Sequence, residues 1–398
     1  VGSSHCNKPI ISVCCMTYNH ENFISDAIES FLMQKTDFDF EIIIHDDAST
    51  DKTKEIVEYY ERKYPNFIKP IYQNENQYSK GIRRVTAQFL IPKAKGKYIA
   101  LCEGDDYWTD PYKLQKQFDY MEANPTCSLC THATKVITFN KMMNEEEDIR
   151  KPSDNNIVRS NDEIIMQGAE INHTSSFFFQ KRIFNDLPNW YFYSTGDDAL
   201  RLLCISHGYV SYLDGIMSVY RKGVVGSWSN RVRNHKRNRI KLYENKLKLL
   251  EEFNKSTLKL HDGIITKKKQ KVLYTLEFYK KVANDGGIWA RAIINYMHKQ
   301  KEKSIKVAIF GVADTAKEIK KHLNDHNVGV SLFLDNYHYG QTVENVHIVH
   351  PESLVENKNG INLVVITVWG KQYVEIKKQL LDYNPALNVL TMNDISEY

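Results

Sequence analysis

Residues 97–108 read KYIALCEGDDYW, and no other stretch restricts the fold of this chain as much. A short apolar run of Tyr98, Ile99, Ala100 and Leu101 ends abruptly in three carboxylates, Glu103, Asp105 and Asp106. The run predicts a buried strand of a parallel sheet, apolar on both faces. The acids then emerge at its carboxyl end, the edge where open α/β sheets bind ligands. Three carboxylates within four positions repel one another unless a cation sits among them, and such hard oxygen ligands suit Mg²⁺ or Mn²⁺. A solvated acidic turn explains the same residues, because Asp110-Pro111 has the form of a helix N-cap followed by proline.

The pattern of apolar run, polar turn and helix recurs upstream. Residues 10–16 form a strand that breaks at Thr17-Tyr18-Asn19, and Phe23, Ile24, Ala27, Ile28, Phe31 and Leu32 then recur at helical spacing. Residues 40–44 lead into His45-Asp46-Asp47 and a helix carrying Ile56, Val57 and Tyr60, so two strands deliver carboxylates to one edge. A third strand, 68–72, precedes a polar loop in which Arg83 or Arg84 meets a phosphate or lies solvated on the first turn of a helix running through Phe89. Beyond the acidic stretch, a helix over 111–121, alternating strands around 128–139 and an exposed charged loop over 142–156 are expected. A buried strand at 175–179 follows Asn172-His173; His173 either lines a pocket or is a hydrogen-bonded structural histidine. Gly196-Asp197-Asp198 precedes another helix, where a carboxylate serves as N-cap or as general base.

With 398 residues, 42% of them hydrophobic, the chain is expected to form two or three domains. No apolar run approaches the roughly 18 residues of a membrane span, and no signal-peptide pattern opens the sequence. The seven scattered cysteines fit a reducing compartment, and Cys127 and Cys130, the lone CxxC, lack the second pair of a zinc site. Cytoplasmic location is the expectation. The net charge of +4 conceals a basic segment, residues 231–281, with 16 Lys or Arg against 5 Asp or Glu. Such a segment suits an anionic membrane face, a polyanionic substrate or plain solvation. Nucleic acid is not expected, since no reading motif accompanies the charge.

The stretches VCCMTYNHENFISDAIESFLMQ, IIIHDDASTD, GKYIALCEGDDYWTDPYKLQKQ and TGDDALRLLCISHGYVSYLDGIMSVYR together resemble the family 2 glycosyltransferases of GT-A fold, bacterial surface-polysaccharide type, across roughly the first 230 residues. The resemblance implies an α/β nucleotide-diphospho-sugar transferase domain. It assigns Thr17, Tyr18, Asp46, Asp47, Arg83, Glu103, Gly104 and Asp106 to the donor, with Asp47 ahead of Asp46. Asp105 becomes the principal metal ligand for Mn²⁺ or Mg²⁺, His173 an acceptor contact and Asp197 the base, with Asp198 its alternative. Val219-Tyr220-Arg221-Lys222 departs from the Tyr-Arg-x-His of many relatives, so Arg221 or Lys222 is expected to supply positive charge to the diphosphate, and strict metal dependence is left open. The QxxRW signature of processive synthases is missing, which implies one sugar transferred per encounter.

The expected division is a catalytic domain at 8–230, a basic helical linker at 231–303 punctuated by Asp285-Gly286-Gly287, and a smaller Rossmann-like α/β domain at 304–398. In that last domain only Gly311 of GxGxxG is present, with Ala313 and Ala316 in the other glycine positions and Asp335 where a ribose-binding acid is expected. Ligand binding there and a docking or oligomerisation role both stay open. The expected function is inverting transfer from a nucleoside-diphosphate sugar, UDP first, to a saccharide or lipid-linked acceptor in polysaccharide (capsule-type) biosynthesis, with peripheral membrane contact and a homo-oligomer left open. The alternative is a catalytically silent nucleotide-sugar-binding or assembly protein.

Overall fold

The computed structural model of this chain describes residues 8–139, 145–168, 172–193, 197–222, 236–283, 286–300, 305–312, 314–368 and 372–391. Gly196, Asp285, Ala313, positions 142–144 of the expected loop and 231–235 of the basic stretch lie outside the described residues. There are two compact units, Val1–Arg231 with Lys241–Leu273, and Val232–Ile240 with Tyr274–Tyr398.

The first unit is a mixed sheet with helices on both faces. Its strands are β1 (Ile11–Thr17), β2 (Phe40–Asp46), β3 (Ile68–Tyr72), β4 (Tyr98–Glu103), β5 (Tyr107–Trp108), β6 (Cys127–Phe139), β7 (Glu145–Arg150), β8 (Ile157–Arg159), β9 (Phe178–Gln180) and β10 (Tyr209–Lys222). The order is β3-β2-β1-β4-β9-β6-β10-β5, with β7 beside β6 and β8 beside β10. Strands β1 to β4 run parallel, so Thr17, Asp46 and Glu103 finish at the same edge. Helices α1 (Ile24–Leu32), α2 (Thr53–Lys63), α3 (Lys113–Ala123), α4 (Asn161–Gln167) and α5 (Asp198–Ile205) cover the sheet.

Alternation along the strands divides the core in two. Val13, Cys15, Ile42 and Ile44 pack with Ile24, Ile28, Phe31 and Val57, whereas Cys14, Ile43, Ile99 and Leu101 pack with Leu90, Phe177, Leu200 and Leu203. Each fully buried side chain of this size contributes about 1.5–3 kcal/mol of hydrophobic stabilisation. The second of these clusters also takes in Leu249, Leu250 and Phe253 of helix α6 (Lys236–Ser256) and Ile265 and Val272 of helix α7 (Asp262–Ala283).

Four local expectations are corrected. Residues 145–150, expected in a loop, form β7, antiparallel to β6 from Thr134↔Arg150 to Phe139↔Glu145; a strand exposed on one side tolerates charges that a central one does not. The alternating strands around 128–139 are one 13-residue strand. The strand at 175–179 is shortened to 178–180, because Ser176 and Phe177 donate their N–H groups to His173 and Thr174 carbonyls and close a 3₁₀ turn over Thr174–Ser176. Likewise the helix through Phe89 is one π turn, Thr86–Leu90.

In the second unit, β11 (Val307–Phe310), β12 (Val330–Leu334), β13 (Thr342–Val343), β14 (Val346–Val349), β15 (Leu363–Ile366) and β16 (Asn388–Leu390) form a sheet ordered β13-β14-β12-β11-β15-β16. Only the β13–β14 pair is antiparallel. The parallel strands thus follow the 3-2-1-4-5 order of doubly wound sheets. Helix α8 (Gly286–Lys299) and helix α9 (Asp314–Asp325) supply Trp289, Ile293, Ile319 and Leu323 to one face, and helix α10 (Gln372–Tyr383) supplies Ile376 and Leu380 to the other. Gly311 has φ +102, and a Cβ there meets Thr367 Oγ1 at 2.7 Å. One Asp335 oxygen is occupied by its own turn, accepting the N–H groups of Tyr337 and His338 at 2.7 and 2.9 Å.

Candidate active site

The parallel strands bring the sequence-predicted acids together at one edge. β4 ends at Glu103, and a tight turn carries Gly104, Asp105 and Asp106 into β5. Gly104 donates its N–H to Met16 at 2.8 Å, and a Cβ at this position meets Thr17 Oγ1 at 2.7 Å and His20 Nδ1 at 3.0 Å. The glycine is therefore required by the approach of the β1 loop. Thr17 Oγ1 is buried without a hydrogen-bond partner. Tyr18 lies half-buried beside it.

Glu103, Asp106 and His173 each offer one ligand atom within 4.8 Å of the others. Asp106 is fully buried; its Oδ1 accepts the Arg221 N–H at 2.9 Å, and its Oδ2 has no hydrogen-bond partner. That oxygen lies 3.4 Å from His173 Nδ1, a nitrogen that also accepts the Ser175 N–H at 3.4 Å. Two acceptors facing each other call for a shared proton or a cation between them. Burial, then the charge of Asp105, pushes both the Glu103 and Asp106 carboxyls well above the usual range. Burial, then Arg150 and Arg201, lowers the His173 imidazole to about 3, so it is neutral and competent as a ligand. An orphaned carboxylate oxygen, a second acid and a neutral imidazole fit a divalent cation. Asp105, singled out above as principal ligand, is outside this triad; its Oδ2 faces His20 Nε2 at 3.8 Å.

The remaining donor candidates divide by what they touch. Asp46 Oδ1 accepts the Ser49 N–H at 3.2 Å and the Ser49 hydroxyl. Both Asp47 oxygens are occupied by the loop that follows β3, through the N–H groups of Gln77 at 2.7 Å and Tyr78 at 3.1 Å. Ala48, next in the chain, sits at φ 60, a left-handed conformation that the surrounding turn must hold in place. Arg83 is exposed, its guanidinium 4.1 Å over Tyr78, whereas Arg84 is buried and donates to the Tyr191 carbonyl at 2.9 Å. Arg221 lies against Phe23 and Tyr107, pairs with Asp26 and donates to the Asp105 carbonyl at 3.3 Å. Lys222 ends β10 opposite Thr138.

The two aspartates at the head of α5 share Arg201, at 3.9 Å from Asp197 and 3.8 Å from Asp198, and differ in their other partners. Asp197 makes no side-chain cap, is one-third exposed, and accepts the Thr174 hydroxyl at 2.9 Å. It is near enough to Glu103 to add to the upward push on that carboxyl. Asp198 instead pairs with Lys246 at 2.7 Å and Arg201 at 3.8 Å; burial raises its pKa, but these cations outweigh it and hold the carboxyl below its usual range.

Sequence reasoning missed a set of residues behind the site. Trp108 Nε1 donates to the Ser175 carbonyl at 2.9 Å, and Gln117 Nε2 donates to the Ser176 carbonyl at 3.0 Å. Lys113, fully buried with its pKa lowered by burial to about 7, donates to Gln117 Oε1 at 2.7 Å and lies 4.1 Å over Trp108. Together they fix the turn that carries His173 and Thr174. The available signal was periodicity, since Lys113 and Gln117 share a helix face with Leu114 and Met121, where solvated polar residues do not belong.

Residues 12–189 match the family described as Glycosyl transferase family 2. An uncharacterized protein of Mycobacterium tuberculosis is 43% identical over 129 residues, 32% of this chain and 36% of the relative. The putative teichuronic acid biosynthesis glycosyltransferase TuaG of Bacillus subtilis is 36% identical over 114 residues, 29% of this chain and 42% of the relative. The matches thus span less than half the length of these relatives. Among solved structures, residues 1–349 of S. aureus TarS in complex with UDP-GlcNAc superimpose with TM-score 0.46 at 20% identity, covering 61% of this chain and 66% of that one. The part of the chain that is similar to glycosyl transferase family 2 is thus residues 12–189, within the N-terminal α/β unit.

Proposed function

We propose that the chain transfers a sugar from a nucleoside-diphosphate donor, UDP first, to a saccharide or lipid-linked acceptor in polysaccharide biosynthesis, inverting the anomeric centre in one displacement. The observation that carries this reading is the placement of Asp197, a partly exposed carboxylate free of capping duty, close to the acidic edge formed by Glu103 and Asp106. Kinship with a putative teichuronic acid glycosyltransferase supports the polysaccharide assignment.

In this mechanism Asp197 accepts the proton of the acceptor hydroxyl as that oxygen attacks, and Thr174 holds the carboxylate in place. Glu103, Asp106 and His173 are the groups to hold Mn²⁺ or Mg²⁺, with Asp105 adding negative charge beside them. A cation there supplies Lewis-acid neutralisation of the departing diphosphate. Thr17 Oγ1, buried and unpartnered at the carboxyl end of β1, supports a donor contact at this edge. Arg221 braces the turn through the Asp105 carbonyl and the Asp106 carboxylate.

Asp197→Asn tests the assignment. Transfer is expected to fall by about 10²–10⁴-fold with UDP affinity unchanged, and the product of the wild-type enzyme is expected to carry the inverted linkage. Full activity in the variant, or a retained anomeric configuration, contradicts the mechanism.

A further inference from the structure

The hairpin between α6 and α7 ends in two outward-facing leucines, Leu258 at 92% and Leu260 at 78% exposure. Single exposed leucines are ordinary, but these two belong to one ordered turn. Leu258 and Lys259 both have positive φ, 50 and 62, a left-handed conformation that L-residues other than glycine leave unless a turn holds them there. The turn is closed by Lys259 N–H to the Asn254 carbonyl at 2.8 Å, Leu260 N–H to the Thr257 carbonyl at 3.0 Å, and Asn254 Nδ2 to Asp262 Oδ1 at 2.7 Å. Its base is anchored in the first unit. Phe253 is fully buried edge-on to Trp190, and Trp190 Nε1 donates to Ser256 Oγ at 3.0 Å.

The charge from the turn into α7 is mostly basic. Residues 255–271 hold six lysines against one carboxylate, Asp262, which Asn254 already engages. Lys259, Lys267 and Lys271 are exposed, whereas Lys255 pairs with Glu251 and Glu252 at 3.4 and 2.8 Å and Lys269 lies 3.8 Å from Glu251. Apolar side chains on a fixed tip, with Lys259 between them and exposed lysines on the helix that follows, have the composition of an interfacial anchor for anionic lipid. A second copy of the same surface is a poorer occupant, because an isologous contact would set the lysines of one chain against those of the other.

We infer that residues 254–262 form a membrane-docking tip, in which Leu258 and Leu260 enter the headgroup region of an anionic bilayer while these exposed lysines meet lipid phosphates. The tip deepens the acceptor side of the transferase reading and rests on it for its purpose, favouring a lipid-linked acceptor. Lipid binding itself is measured without turnover, so the two readings fail separately.

The experiment is flotation of the full chain with vesicles of phosphatidylcholine alone and of phosphatidylcholine with phosphatidylglycerol in equal parts, for wild type, Leu258→Ser/Leu260→Ser and Lys259→Gln/Lys267→Gln. The expected result is binding of wild type to the anionic vesicles and a loss of about tenfold or more in partitioning for the leucine variant, with weaker binding for the lysine variant. Thermal midpoint and UDP affinity are expected to stay at wild-type values, since the substituted side chains are exposed. Equal partitioning of wild type and leucine variant, or no binding to anionic vesicles, overturns the inference. A concentration-dependent dimer that the leucine variant abolishes also overturns it and assigns the tip to self-association.

Discussion

Asp197 and Asp198 are neighbours of identical chemistry, and what each touches gives them different roles. Asp197 keeps its carboxylate at the site through Thr174, whereas Asp198 is tied to Lys246, and Arg201 lies beside both. Asp198→Asn leaves two cations facing a neutral amide and is expected to cost about 1–3 kcal/mol of stability, read as a lower thermal midpoint, with little change in turnover. The pH dependence follows from the lowered folded pKa of Asp198. Its stabilisation is fully present above the unfolded value of about 4 and disappears as pH falls through the folded value. The stability gap between wild type and Asp198→Asn is therefore expected to be constant near neutrality and to close in acid; a gap that widens on acidification contradicts the pairing. The sequence left this choice open because Thr174 and Lys246 are distant in the chain, and only the fold brings them to α5.

Elements whose apolar periodicity is strong were legible in the sequence: β1, β2, β4, α1 and, in the second unit, β11, β12 and β15 follow directly from runs such as Ile42–Ile43–Ile44 and from the helical spacing of Ile24, Ala27, Ile28 and Phe31. Elements shaped by hydrogen bonds between side chain and backbone were not. The turn over Thr174–Ser176 reads as strand by composition, and becomes a turn because Trp108 and Gln117 hold two of its carbonyls. A double variant, Trp108→Phe with Gln117→Leu, removes both donors while keeping the bulk of the core. It is expected to reduce kcat by about 10²-fold, as misplacement of a site by about 1 Å does, and to leave the affinity for UDP unchanged. Equal losses of kcat and UDP affinity would mean that the set supports the whole unit rather than this turn. β7 was missed for the opposite reason, since an edge strand is free of the hydrophobic pattern that makes a strand visible.

At the scale of the molecule, two units, a mixed sheet with parallel strands β1 to β4 and a largely parallel sheet, carry different edges. The first presents carboxylates from several strands at one place; the second has a 3-2-1-4-5 order with Asp335 committed in part to its own turn. Among the described residues no helix is long and apolar enough to cross a membrane. We propose that the edge formed by Glu103, Asp106 and His173 receives a nucleoside diphosphate together with a divalent cation. The most direct test is calorimetric titration of UDP, with and without Mn²⁺, into wild type, Asp106→Ala and His173→Ala. The expected result is UDP binding strengthened about tenfold or more by Mn²⁺ in the wild type, an enhancement lost in Asp106→Ala and reduced in His173→Ala. UDP binding that ignores Mn²⁺, or a Mn²⁺ effect of wild-type size in Asp106→Ala, contradicts it.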